Sequence, residues 1–218
     1  MYHVLNRANG KRTIFHRDRD YLTFEKILAE AQERVDMRIL AWCVMPNHWH
    51  LLLWPRKDGD LSEYMRLVTV MHTQRLHAFR KSTGTGHVYQ GRYKSFVVQH
   101  DAHFVAVARY VEANALSAGL VERAEDWRWS SSWRLQRGRP DEAPCLEPWP
   151  VTRPSNWLAY VNREPGKTEL TRLRLCARRS CPYGDEAWVA GIAGQLGLES
   201  TLRARGRPAK EPDFRYLL

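Results

Sequence analysis

Hydrophobic positions change period several times along the first 120 residues, and each change marks an element. Tyr2-His3-Val4-Leu5 is extended in character, Asn9-Gly10 is a turn signal, and Thr13-Ile14-Phe15 resumes the extended pattern. Residues 1–17 therefore predict strand, turn and strand. Tyr21, Phe24, Ile27, Leu28 and Ala31 then recur at helical spacing and predict a helix over about 19–35. The mostly apolar run 37–45 predicts a strand, Pro46-Asn47 a turn, and 48–54 a second strand. Asp60 is placed to cap a long helix to about Lys81, with Leu61, Tyr64, Met65, Val68, Met71 and Leu76 on one face. After a Gly/Thr/Ser loop at 82–86, residues 88–98 predict a strand with Gly91 as a bulge or bend. Asp101 caps a further helix through about Ala115, stopped near Gly119.

The order β(β)αββαβα predicts an α+β fold of ferredoxin-like (RRM-like) type, an antiparallel sheet with helices on one face, formed by residues 1–121. Beyond it the composition shifts. Trp127, Trp129 and Trp133 crowd together, residues 138–155 are Pro-rich and irregular, and a last helix is expected at 186–196 with Trp188, Val189, Ile192 and Leu196 on one side. The end, 203–210, is basic.

Composition excludes several classes. Hydrophobic residues are 44% and charged residues 27%, which argues against wholesale disorder. The longest apolar run, Ile39 to Met45, is far too short to span a membrane. No start resembles a secretory signal, so a cytoplasmic protein is expected. Cys43, Cys145, Cys176 and Cys181 lack metal-ligand spacing and read as free thiols. Charge adds a direction: the net charge is +10, and 27 of the 34 basic residues are Arg. Arg binds phosphate bidentately and stacks on bases, so the balance points to nucleic acid.

The sharpest chemical feature is Met45-Pro-Asn-His-Trp-His-Leu-Leu-Leu53. On a strand His48 and His50 share a face, about 6–7 Å apart, and can converge on one ion. Two half-buried histidines at a strand end would give the same spacing. On the helix after Asp101, the apolar stripe is Phe104, Ala108, Val111 and Ala115, and Tyr110 and Asn114 lie one above the other on its flank. An ordinary boundary Tyr and a helix-end Asn would look the same. Taken together, the two features could bind and polarise a phosphate through an ion held by two His and an amide oxygen, with a Tyr attacking phosphorus.

These residues resemble a family, the single-tyrosine HUH transposases, and within it the REP-associated tyrosine transposases. The likeness lies in Tyr2-His-Val-Leu-Asn-Arg7, Trp42-Cys-Val-Met-Pro-Asn-His-Trp-His-Leu-Leu52 and Tyr89-Gln-Gly-Arg-Tyr-Lys94. It continues through Arg109-Tyr-Val-Glu-Ala-Asn-Ala-Leu-Ser-Ala-Gly-Leu-Val121 and Trp127-Arg-Trp-Ser-Ser-Ser132, and covers about the first 135 residues. It implies a catalytic domain over 1–135 and an extension over 136–218. It implies that His48, His50 and Asn114 bind a divalent ion, Mg²⁺ or Mn²⁺, and that Tyr110 is the nucleophile, with Tyr89 and Tyr93 as rival phenols. Relatives commonly continue the Tyr block as Asn-Pro, where this chain has Asn114-Ala115. The implied activity is metal-dependent cleavage and rejoining of single-stranded DNA at hairpins of repetitive extragenic palindromes, through a 5′-phosphotyrosine. No ATP and no membrane take part, and the state is monomer or homodimer. The alternative is a non-catalytic module that binds hairpin DNA or RNA. Asn6, Arg7, Arg12, Arg92 and Lys94 are the candidate phosphate contacts beside the motif blocks. Arg66, His72, Arg75 and His77 could line a DNA path along the long helix. Arg205-Gly-Arg207-Pro208 resembles the core of an AT-hook, whose Arg residues enter a narrow minor groove.

Overall fold

The computed structural model describes residues 1–138 and 144–203. Its centre is a four-stranded antiparallel sheet in the order β2-β3-β1-β4, made by β1 (Tyr2–Arg7), β2 (Arg38–Met45), β3 (His48–Trp54) and β4 (Lys94–Val97). Helices α1 (Asp18–Arg34) and α2 (Asp60–Arg80) cross one face. This is the expected ferredoxin-like arrangement. The other face carries α3 (Ala102–Glu112), α4 (Asn114–Ser117), α6 (Trp157–Asn162) and α7 (Lys167–Arg179). Between them in the chain, α5 (Ser131–Arg137) lies against β2; α8 (Glu186–Leu196) and α9 (Glu199–Leu202) follow α7. No described helix is long and apolar enough to cross a membrane.

Two cores explain why β2 and β3 are apolar at nearly every position. Val4, Trp42, Val44, Trp49, Leu51 and Leu53 pack under α1 and α2 with Phe24, Leu28, Tyr64 and Val68. Cys43, Met45 and Leu52 point the other way, to Phe104, Val107, Val111, Trp157 and Leu173. A strand buried on both faces loses the polar alternation of a half-exposed one. Residues after 120 also shield the sheet edges. Trp129 O accepts from Val44 N and Ile39 O from Glu147 N on the β2 edge, while Val97 O accepts from Tyr183 N on the β4 edge. Shielding of this kind removes exposed strand edges that would pair with other chains.

Three expectations from the pattern fail for identifiable reasons. Residues 13–15 form no strand, because both edges of β1 are taken by β3 and β4. Instead Ile14 and Phe15 are buried, and their backbone N–H groups both donate to Pro46 O, at 2.8 and 3.0 Å. The strand expected from Val88 begins only at Lys94. Upstream of it Tyr89 turns into the first core, where its hydroxyl meets Trp49 Nε1 at 3.0 Å and His72 Nδ1 at 2.5 Å. Asp60 is not the helix cap: Gly59, with φ 89°, takes that place, and Asp60 Oδ2 accepts from Lys57 N in the preceding turn. The helix at 186–196 is present, although Leu196 stays exposed.

Trp49 separates the two histidines in sequence and anchors β3 from the opposite face. It is wholly buried, packs on Phe24, and donates to Tyr89. Trp49→Phe is expected to cost about 1–2 kcal/mol, from lost volume and a lost buried hydrogen bond. Urea unfolding would measure it; an unchanged midpoint would exclude this anchoring role.

Candidate active site

The site forms where β1, β3 and the turn between α3 and α4 meet on the second face of the sheet. Leu5 pairs with His50 and Arg7 with His48, so His3, Leu5 and Arg7 share a face with both histidines. The Pro46-Asn47 turn that starts β3 is held from outside: Ala8 N donates to Asn47 O and Asn47 Nδ2 to Lys11 O.

Each imidazole has one nitrogen occupied. His48 Nδ1 lies 2.6 Å from Asn47 Oδ1, and His50 Nδ1 lies 2.9 Å from His3 Nε2. Both Nε2 atoms are left for another partner. Such outer contacts orient the rings of ligating histidines and select their tautomer. Burial, with help from Arg7, pulls the His48 pKa down to about 4. Burial also holds His50 well below the usual range, aided by His3 and His48, and lowers His3 to about 3. All three rings are therefore neutral at neutral pH, and with His50 Nδ1–H donating to His3 Nε2 the Nε2 lone pairs of His48 and His50 are left to bind a cation.

Tyr110 closes the cluster. Its ring centroid lies 5.7 Å from that of His50 and 5.8 Å from that of His3, edge-on in both cases. Burial raises the phenol pKa, while Arg174 and Arg7 oppose that shift. Asp101 caps α3 through His103 N, as expected, and all four stripe residues are buried. The helix ends at Glu112 rather than Ala115. It bends at Ala113, and α4 begins at Asn114. Asn114 Nδ2 donates to Tyr110 O at 2.6 Å, which leaves Oδ1 without a hydrogen-bond partner among the described residues. Buried Ala115 continues the chain as helix, so no proline is needed to make the bend.

His48, His50, Tyr110 and Asn114 line one pocket of about 650 Å³ together with Asn6, Arg7, Arg92 and Lys94. Its wall also includes Gln90, Arg174 and Arg178, and no carboxylate. Arg12 is not brought there. It lines a separate hollow near His77 and Arg80, and its Nε donates to Asn9 O. Of the α2 candidates, His72 is buried, Arg75 pairs with Glu30 and His77 meets Ser82 Oγ, while Arg66 pairs with Glu63 and lines a neighbouring hollow with Asn6 and Arg92. Of the rival phenols, Tyr89 is buried in the other core and Tyr93 packs against that core. Arg205 and Arg207 lie outside the described residues.

The family model "Transposase IS200 like" matches residues 1–114, more than half of the chain and all of the residues that build the histidine–tyrosine cluster. The chain belongs to the IS200-like transposase family. Among curated proteins it is similar to a REP-associated tyrosine transposase of Haemophilus influenzae. That relative is 24% identical over 131 residues, spanning 54% of this chain and 74% of the relative. Among solved structures it is similar to a REP-associated tyrosine transposase bound to a REP hairpin, at 20% identity and a TM-score of 0.52. The match covers 68% of this chain and 87% of that one. A second structure, a Deinococcus radiodurans protein described as a transposase, matches at 18% identity and a TM-score of 0.40, over 51% of this chain and 87% of that one. In this IS200-like transposase α3, the helix after the last sheet strand, packs against β2 and the histidine-bearing β3.

Two kinds of site residue escape a reading of the sequence. His3 lies within a quoted motif block, but its contact with His50 spans 47 positions and depends on the β1–β3 register. Arg174 and Arg178 belong to α7, beyond the matched region.

Proposed function

We propose that this IS200-like transposase cleaves and rejoins single-stranded DNA at hairpin sequences, through a 5′-phosphotyrosine on Tyr110. The observation that carries the reading is the convergence of His48, His50, Tyr110 and Asn114 on one cationic pocket. Asn6, Arg7, Arg92 and Lys94 would hold the backbone of the strand in that pocket, where no carboxylate repels it.

The donor set fits a divalent ion. No group of three His, Cys, Asp or Glu side chains among the described residues is placed to hold a metal ion, and the amide oxygen of Asn114 would supply the third donor beside two histidines. The ligands would be His48 Nε2, His50 Nε2 and Asn114 Oδ1, with Mg²⁺ or Mn²⁺ as the ion; imidazole donors favour Mn²⁺. When bound, such an ion polarises the scissile phosphate and neutralises charge that develops on it. His3 is then a positioning residue for His50. His3→Leu is expected to weaken Mn²⁺ binding by about 10–100-fold in calorimetry, the usual cost of losing a partner of a ligating histidine. Unchanged affinity would show that His3 only fills space.

The chain's own chemistry rests on Tyr110. Its oxygen forms a bond to phosphorus as the bond to the 3′-oxygen breaks, and the proton lost by the phenol balances the one gained by the 3′-hydroxyl. Arg7 and Arg174 favour the phenolate against the effect of burial. A free 3′-hydroxyl attacking the phosphotyrosine reverses the step, so rejoining needs no ATP.

The test uses an oligonucleotide with an imperfect hairpin and single-stranded flanks, labelled at either end, with Mn²⁺ or EDTA. The expected result on a denaturing gel is a metal-dependent covalent adduct that retains the 3′ label and releases the 5′-labelled fragment. Cleavage without an adduct would assign water as the nucleophile. Tight binding without cleavage would favour the non-catalytic module.

A further inference from the structure

We infer that α7 forms a second phosphate-binding wall of the pocket, with Arg174 and Arg178 as DNA contacts that the family region alone does not supply. The inference rests on the reading of the pocket as a DNA site. The matched region ends at residue 114, and α7 comes from the part of the chain beyond it. Nonetheless Arg174, Ala177 and Arg178 line the same pocket as the two histidines and Tyr110.

The helix is fixed firmly enough to present them. Leu173 and Cys176 are buried in the second core. At its start, Glu169 pairs with the buried Arg109 of α3 at 3.4 Å. At its end, Ser180 takes a left-handed conformation (φ 60°) and donates to Cys176 O, which brings Cys181 Sγ to 3.4 Å from Cys176 Sγ. Lys94 Nζ reaches Arg178 O at 3.4 Å, tying the helix end to β4.

The arginines of α7 divide by face. Arg172 is used within the fold: it donates to Gly184 O and lies over the Tyr183 ring. Arg174 and Arg178 have no carboxylate partner among the described residues, and both are exposed. They stand one turn apart, about 6 Å along the helix, a separation close to the step between successive phosphates of an extended strand. Ala177 beside Arg178 is small and leaves room for a backbone to approach. Arg174 is also close enough to Tyr110 to favour its phenolate. With Arg7, Arg92 and Lys94 on the sheet side, the pocket presents cations from two walls and no anion. A polyanion is the occupant that relieves this repulsion, and a strand gripped on both sides would pass its phosphate beside the phenol.

The test is binding of the hairpin oligonucleotide across a KCl series, in Tyr110→Phe protein so that no cleavage occurs. Arg174→Gln, Arg178→Gln and the double variant are compared with Lys167→Gln, which removes one charge from the same helix but lies outside the pocket. Each pocket substitution is expected to weaken binding by about 3–10-fold and to lower the slope of log affinity against log salt by about 0.7. The double variant should lose about 1.4 in slope, as expected for two contacts to a single strand. Lys167→Gln should stay within about twofold. These side chains are exposed, so circular dichroism and melting should not change. If hairpin binding is intact but the Arg variants match Lys167→Gln, α7 is solvated charge and the inference falls, while the reading of the site stands. If the Tyr110→Phe parent does not bind the hairpin, the reading itself fails and takes this inference with it.

Discussion

Tyr110→Phe will abolish the covalent protein–DNA adduct while leaving hairpin affinity within about twofold. The substitution deletes one oxygen and keeps the ring that packs edge-on against His3 and His50. With no oxygen to attack phosphorus, strand cleavage should fall by at least about 10³-fold, as when other enzymes lose their nucleophile. Neither rival phenol can take over. Tyr89 is bonded to Trp49 and His72 beneath α2, and Tyr93 packs on that same core. Denaturing gels measure the adduct and filter binding the affinity. An adduct that persists in the variant would move the nucleophile elsewhere. Loss of binding together with the adduct, with the ring still in place, would make the oxygen a DNA contact and overturn its reading as the nucleophile.

Glu112→Ala will destabilise the protein by about 3–4 kcal/mol. Glu112 is wholly buried at the end of α3. One oxygen accepts from Ser131 Oγ and the other from Trp157 Nε1, each at 2.8 Å. The carboxylate thus joins α3 to α5 and α6, and its removal leaves the buried Trp157 Nε1 without its acceptor and Ser131 Oγ with only the longer contact to Trp42 O, beside a cavity. Burial raises its pKa, while Arg153 and the hydrogen bonds to Trp157 and Ser131 oppose that shift. The sign follows. A folded-state pKa above the unfolded value of 4.5 means that the native protein binds the proton more tightly. The stability this provides is full below that value and is lost as pH rises through the folded pKa. Relative to Glu112→Gln, wild type should therefore lose ground as pH rises from about 4 towards neutrality, read from denaturant midpoints. A difference that does not vary with pH would show that Glu112 titrates alike in both states.

Much of the site is legible from local spacing alone. His48 and His50 share a strand face because side chains alternate along β3, and Tyr110 and Asn114 share a helix flank because they are four apart. Both relations survive folding, although the helix bends at Ala113 between them. Arg7, Arg92 and Lys94 are legible because they sit beside the motif blocks that build the pocket. Arg12 is as close in sequence and yet points elsewhere, because the 3-10 turn at Asn9–Lys11 redirects the chain after β1. Proximity in sequence carries no information about direction once a turn intervenes.

The helices α5, α6 and α7 are not among the elements that the sequence predicts. What the sequence by itself determined was the order of the four sheet strands and of α1, α2 and α3, the amphipathic or doubly apolar character of each, and the histidine and tyrosine pairs. All of these depend on neighbours within four residues, whose geometry the backbone sets before any tertiary contact forms. What only the tertiary structure decided was which distant pieces meet. It paired His3 with His50, sent Tyr89 into one core and Tyr110 towards the other, denied residues 13–15 a strand partner, and laid α7 beside β4. Those outcomes depend on which sheet edges and faces remain free after the rest of the chain has packed, and no local pattern of side chains encodes that.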